Sequence, residues 1–295
     1  MPQTIPAELT LDAKALLGEG PIWDARKQVL YWVNIMGNEV HEFHPATGRD
    51  RVFDVGQPVG TVVPRRSGGV MVALRDGFAA LDTDTGALTM VADPEAHLPQ
   101  NRFNDGKCDP AGRFWAGTMR QAEDRAGAGS LYRLDPDLSV HKMWTNITVA
   151  NGIAWSHDAR TMYYIDTPTM MVVAFDYNVE TGAIANPKPV VHTPDGPGGP
   201  DGMTIDAEGM LWVAYWGGWR VVRWNPHTGE ALAVIELPVE RVTAPWFGGP
   251  NLDELYITSA RTGLSADALA KQPHAGSLFV ARPGVRGLPA FEFAG

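Results

Sequence analysis

The stretch Leu17-Gly18-Glu19-Gly20-Pro21-Ile22-Trp23-Asp24 decides the reading of the chain, because its position recurs. In register with Glu19-GPIWD stand Thr61-VVPRR, Asn104-DGKCD, Asn151-GIAWS, Asp201-GMTID and Thr243-APWFG. The starts at 19, 61, 104, 151, 201 and 243 lie 42 to 50 residues apart, a spacing that marks a repeat fold. Each start is followed by a run rich in Val, Ile, Tyr and Trp: LYWVNI from Leu30, VMVALR from Val70, RFWAGT from Arg113, MYYIDT from Met162, LWVAYW from Leu211 and LYITSA from Leu255. Asp-, Gly- or Ser-bearing turns separate start from run. A third run follows, and at Thr47, Thr85, Thr181 and Thr228 a Thr-Gly turn leads into a fourth.

Six repeats of four short strands predict an all-β chain, a six-bladed β-propeller with four antiparallel strands per blade. The expected organisation is one domain over residues 1–295. A pair of β-sandwiches would leave the constant period unexplained. Ring closure needs a strand from a chain end, and either AELTLD or AFEFAG could supply it.

Four of the six starts, Glu19, Asn104, Asn151 and Asp201, are oxygen donors, and a propeller gathers equivalent positions around its axis. Glu19, Asn151 and Asp201 are therefore the candidate metal ligands of a site in the central channel. Two carboxylates crowded near an axis repel unless a cation or protons intervene. Oxygen ligation favours one divalent ion of the hard or borderline kind, such as Ca²⁺, Mg²⁺ or Mn²⁺. The segment Thr193-PDGPGGPDG-Met203 is a stiff approach that would hold Asp201 in place. Arg102, two residues before Asn104, offers a planar fork for substrate oxygens. Two long polar loops, 119–130 and 261–276, fall on the same face, and the first is expected to wall the substrate site. Trp216, in YWGGWR with Trp219, is placed to flank a sugar-like ring.

Other features set limits. The chain has 295 residues, 44% hydrophobic and 20% charged, with a formal net charge of −10, which argues against nucleic-acid or anionic-membrane partners. No apolar run reaches the length of a membrane-spanning helix. The first residues have neither the basic nor the apolar region of a signal peptide, and the one cysteine, Cys108, suits a reducing cytoplasm. The histidines show no ligand spacing and read as surface or turn residues. The chain has no G-x-S-x-G elbow, Walker loop or dinucleotide fingerprint.

The motifs LGEGPIWD, NRFNDGKCDPAGRFWAGTM, GSLYRLD, VANGIAWS, PDGMTIDAEGMLWVAYWGG and FGGPNLDELYITSA resemble, in this order, the senescence marker protein/gluconolactonase/regucalcin family of metal-dependent sugar lactonases. The resemblance implies Glu19, Asn151 and Asp201 as metal ligands and Arg102 and Asn104 as substrate contacts. It also implies a lid-loop glutamate, for which Glu123 is the candidate. Asn34, where the family commonly has Asp, is the one departure.

The expected activity is hydrolysis of an aldonolactone (glucono-, xylono-, arabinono- or galactonolactone) to the open acid. The ion, Ca, Zn, Mn, Mg or Fe, would polarise the carbonyl, and Asp201 would serve as general base. The alternatives are a non-enzymatic metal-binding or interaction propeller and a metal-dependent esterase or organophosphatase. A monomer or weak homo-oligomer is expected.

Overall fold

The computed structural model describes residues 2–193 and 196–295. Six sheets of four antiparallel strands form the six blades of a propeller, and neighbouring innermost strands pack around the ring. Those innermost strands are Gly18–Asp24, Val59–Pro64, Asn101–Cys108, Ala150–Trp155, Gly199–Ile205 and Val242–Gly248. Apart from Gly199 and Ile205 at the two ends of one strand and Trp246 inside another, every residue of these strands is buried, in keeping with their dense apolar content. Outer strands such as Val140–Ile147 are largely exposed.

The N-terminus closes the ring. Ala7–Leu11 pairs antiparallel with Leu278–Ala281 as the outer strand of the sixth blade. Gln3–Ile5 adds a parallel fifth strand beyond Ala231–Glu236 of the fifth blade. The C-terminal AFEFAG has a different role: Phe293, fully buried, bridges to Arg65, and its N–H donates to the Pro64 carbonyl at 2.9 Å. The choice between the two termini is thus made by pairing that spans almost the whole chain.

Aromatic residues seal the blade interfaces. Trp23 stacks on Tyr256 across the first and sixth blades, Trp115 meets Trp155 edge to face across the third and fourth, and Trp212 meets Phe247 across the fifth and sixth. Two buried turn aspartates recur as anchors. Asp109 accepts from Trp115 Nε1 at 2.8 Å and Arg113 Nε at 2.7 Å; Asp206 accepts from Trp212 Nε1 at 2.9 Å and Arg223 Nε at 2.7 Å. One histidine departs from the sequence reading: His41 is buried, stacked on Trp32 and 2.7 Å from Asp50. Cys108 is buried and free, as its apolar setting predicts.

The long segment 261–276 is more ordered than a plain loop. It contains the short helix Ala266–Lys271, capped by Ser265, whose side chain accepts from the Ala268 N–H. Among the described residues no helix is long and apolar enough to cross a membrane.

Candidate active site

In every blade the pairing of the innermost strand with its neighbour slips at the repeated start position. The shifts fall between Glu19 and Ile22, Val59 and Thr61, Phe103 and Gly106, Ala150 and Ile153, Pro200 and Met203, and Val242 and Pro245. An extra residue in one strand bends it and re-aims the local side chain, and here it happens six times around one axis. Glycine after the start lets the strands come close. A Cβ on Gly152 would lie 2.5 Å from Met203 Cβ and 2.9 Å from the Asp201 carbonyl oxygen.

The six starts divide by chemistry. Glu19, Asn104, Asn151 and Asp201 line one cavity of about 350 Å³ together with Arg102, near the lower end of small-molecule pockets. The two threonines instead tie blades together. Thr61 Oγ1 donates to the Gly106 carbonyl at 2.8 Å, and Thr243 Oγ1 donates to the Gly18 carbonyl at 2.6 Å, joining the sixth blade to the first.

Glu19 and Asp201 are 5% and 4% exposed, and among the described residues neither forms an ion pair. Burial, followed by the negative charge of neighbouring Asp105, pushes the Glu19 carboxyl up to about 8. Asp201 is held well above the usual carboxylate range by burial and then by the charges of Glu19 and Asp105. Arg102, equally buried, is lowered to about 10 by desolvation, with Glu19 and Asp201 opposing the fall. The floor of the cavity is thus an acidic pair that resists double ionisation without a compensating cation.

A polar chain orients the amides. Arg102 Nη1 donates to Asn104 Oδ1 at 2.6 Å, Asn104 Nδ2 to the Ala150 carbonyl at 2.7 Å, and Asn151 Nδ2 to Thr167 Oγ1 at 2.8 Å. Thr167 Oγ1 in turn donates to the Pro200 carbonyl at 2.8 Å, beside Asp201. Among the described residues Arg102 forms no salt bridge, and its Nε is buried without a hydrogen-bond partner.

The loops deliver the walls. Met119 and Arg125 come from the third blade, Thr167 and Pro168 from the fourth, Trp216 from the fifth and Thr262 from the sixth. The structure therefore brings Glu19, Arg102, Asn104, Asn151, Asp201 and Trp216 together. It does not bring Glu123, which is exposed and outside the cavity lining; Arg125, two residues on in the same loop, is the side chain that reaches the wall. Trp219 is likewise outside the lining; it is exposed, on a left-handed backbone with φ 60°. In the glycine-rich approach to Asp201, positions 194 and 195 lie outside the described residues. Asp105 and Thr167 escape sequence reading. Asp105 is hidden because a residue next to a start looks like an ordinary turn acid, and Thr167 because it sits in a single 3₁₀ turn, Thr167–Thr169, outside the period.

The donor set fits a hard divalent cation: two buried carboxylates without an ion pair among the described residues, with the Asn151 amide oxygen beside them. Among the described residues no three His, Cys, Asp or Glu side chains cluster as a metal site.

Comparison with known proteins places the chain in a family. The profile of the SMP-30/Gluconolactonase/LRE-like region matches residues 17–261. Regucalcin of Danio rerio is 42% identical over 99% of both chains. A protein of Bacillus subtilis (strain 168) named a sugar lactone lactonase is 39% identical over 98% of this chain and 99% of its own. The crystal structure of a calcium-binding protein, regucalcin, from Agrobacterium tumefaciens superimposes with a TM-score of 0.94 at 33% identity over 99% of both chains.

Proposed function

The chain belongs to the SMP-30/gluconolactonase/LRE-like family, and we propose that it is a metal-dependent lactonase that opens a sugar-acid lactone to the aldonic acid. The observation that carries this reading is the pair of buried carboxylates, Glu19 and Asp201, at the floor of the cavity, neither of which forms an ion pair among the described residues. Glu19, Asn151 and Asp201 would hold one divalent ion, leaving open positions toward the cavity. When bound, that ion supplies Lewis-acid polarisation of the lactone carbonyl.

The remaining work falls to the chain's own groups. Arg102 and Asn104 orient ring oxygens above the acidic floor; their mutual 2.6 Å hydrogen bond fixes both heads. Trp216 offers an indole wall to the apolar face of the ring. Asp201 accepts the proton of the attacking water. Ligation weakens it as a base, while burial strengthens it.

The test is a pH-indicator assay of chelator-stripped protein on glucono-, xylono-, arabinono- and galactonolactone, with Ca²⁺, Zn²⁺, Mn²⁺, Mg²⁺ and Fe²⁺ returned singly. Ion-dependent hydrolysis above spontaneous opening is expected. The name of the Agrobacterium relative favours a second reading, a calcium-binding propeller without catalysis. Calcium binding with no hydrolysis of any lactone would select it.

A further inference from the structure

Four charged side chains line the cavity: Glu19 and Asp201 at the floor, Arg102 beside them, and Arg125 on the loop wall. The first three constrain one another electrostatically. Arg125 is different. Among the described residues no carboxylate lies within ion-pair distance of its guanidinium, and no hydrogen bond engages its head. The nearby Asp124 is already committed to Arg120 at 3.0 Å. The other loop-borne lining residues, Met119, Pro168, Trp216 and Thr262, carry no charge that could pair with it.

The segment that carries Arg125 is pinned. Its carbonyl accepts from the Ala128 N–H at 3.2 Å, closing a turn. Gly127 N–H donates to Thr148 Oγ1 at 3.1 Å, and the Ala128 carbonyl accepts from Asn101 Nδ2 at 3.0 Å. Asn101 is itself buried and bonded to Glu95 at 2.9 Å. An exposed guanidinium with no ion-pair partner among the described residues is thus presented from a fastened turn at the wall of the cavity, in a protein whose formal net charge is −10. The two carboxylates and two guanidiniums of the lining cancel formally, so a divalent ion on the floor leaves the cavity positive. Such a cavity attracts an anion, and the planar fork of Arg binds a carboxylate or phosphate through paired hydrogen bonds.

We propose that Arg125 selects sugar lactones that carry a second, anionic group at the chain end remote from the ring carbonyl, an inference that rests on the lactonase reading. Glu19, Asp201, Trp216 and Arg125 line one cavity, so a substrate with its carbonyl over the two carboxylates and its ring against Trp216 would have its far end within the same enclosure as Arg125. Arg125 is then a specificity residue, and the neutral aldonolactones are the poorer substrates.

The experiment compares kcat/KM for gluconolactone, glucarolactone and phosphogluconolactone in metal-loaded wild type, Arg125→Ala and Arg125→Lys. Calorimetry of gluconate and glucarate binding to the same proteins accompanies it. Wild type is expected to favour an anionic lactone, carboxylate or phosphate as the two substrates report. Arg125→Ala is expected to lower the anionic-to-neutral ratio about tenfold or more, chiefly through KM, with Arg125→Lys between. Preferential binding of glucarate should weaken in parallel and fall with added salt. Hydrolysis of gluconolactone with no anionic preference, or an unchanged ratio in Arg125→Ala, overturns the role of Arg125 and leaves the lactonase reading standing. Hydrolysis of none of the three overturns the lactonase reading itself, and the inference with it.

Discussion

Asn151 Nδ2 donates to Thr167 Oγ1 at 2.8 Å, and this bond settles which end of the Asn151 amide is free. The nitrogen is committed to the turn after the second strand of the same blade. Oδ1 is left on the side of Asn104, whose Nδ2 lies 3.5 Å away. Replacing Thr167 with Val keeps the shape and removes both the acceptor for Asn151 and the donor to Pro200. Such supporting partners are worth about 10- to 100-fold in metal affinity. Thr167→Val should weaken divalent-ion binding by about that factor in calorimetry, and Thr167→Ser should restore it. Equal affinity in all three proteins would remove Thr167 from the site.

Glu19 and Asp201 predict a pH-dependent stability that reverses the usual carboxylate behaviour. A carboxyl raised from 4.5 to about 8 holds a proton in the folded protein that the unfolded chain has lost. Between those values the folded state binds more protons, so its stability falls as pH rises. Chelator-treated protein should lose melting temperature steadily from about pH 5 to about pH 8. A saturating divalent ion should flatten the slope, because it stabilises the ionised pair. A metal-free melting temperature that climbs over this range would contradict the acidic-floor picture.

The same pair predicts proton release. At neutral pH the metal-free pair retains at least part of one proton, which an incoming cation must displace. Titration of the ion into buffers of differing ionisation enthalpy should therefore show a buffer-dependent heat. Glu19→Gln should abolish both that release and tight binding while leaving the propeller folded. It should also raise the stability of the metal-free protein at pH 8, where the wild-type acid is strained.

Closure by the N-terminus makes a stability prediction. Removing residues 2–11 uncovers Leu278–Ala281, all four of whose residues are buried, and leaves their backbone groups as an open edge. The buried Ile5, in the cluster with Val221 and Ile235, is lost as well. Thermal unfolding of the truncated chain should fall by about 10 °C or more, with aggregation on heating. An unchanged melting curve would mean that the ring holds without this strand.

At the other end of the chain, Phe293 is fully buried against the second-blade core. Phe293→Ala should cost about 3 kcal/mol in denaturant unfolding, near the lower end for such truncations because a terminal segment can relax. A change under about 1 kcal/mol would show that the segment is an adornment rather than part of the core.

The sequence by itself determined the period, the strand runs and the six start positions. These are local properties: β-branched and aromatic runs form strands wherever they pack, and a repeated turn at a repeated spacing leaves few folds available. It also picked out Glu19, Asn104, Asn151 and Asp201, because oxygen donors at equivalent positions of a ring must converge. Tertiary structure decided everything that depends on pairing across the chain. Ala7–Leu11, not the C-terminal AFEFAG, became the closing strand because its partner lies some 270 residues away in sequence. Thr61 and Thr243 became ties between blades, Thr167 became the support of Asn151, and Arg125 rather than Glu123 reached the cavity wall. Residue type tells what a side chain can bond; its direction is set by the strand bulges and pinned turns around it, and those exist only once the blades have met.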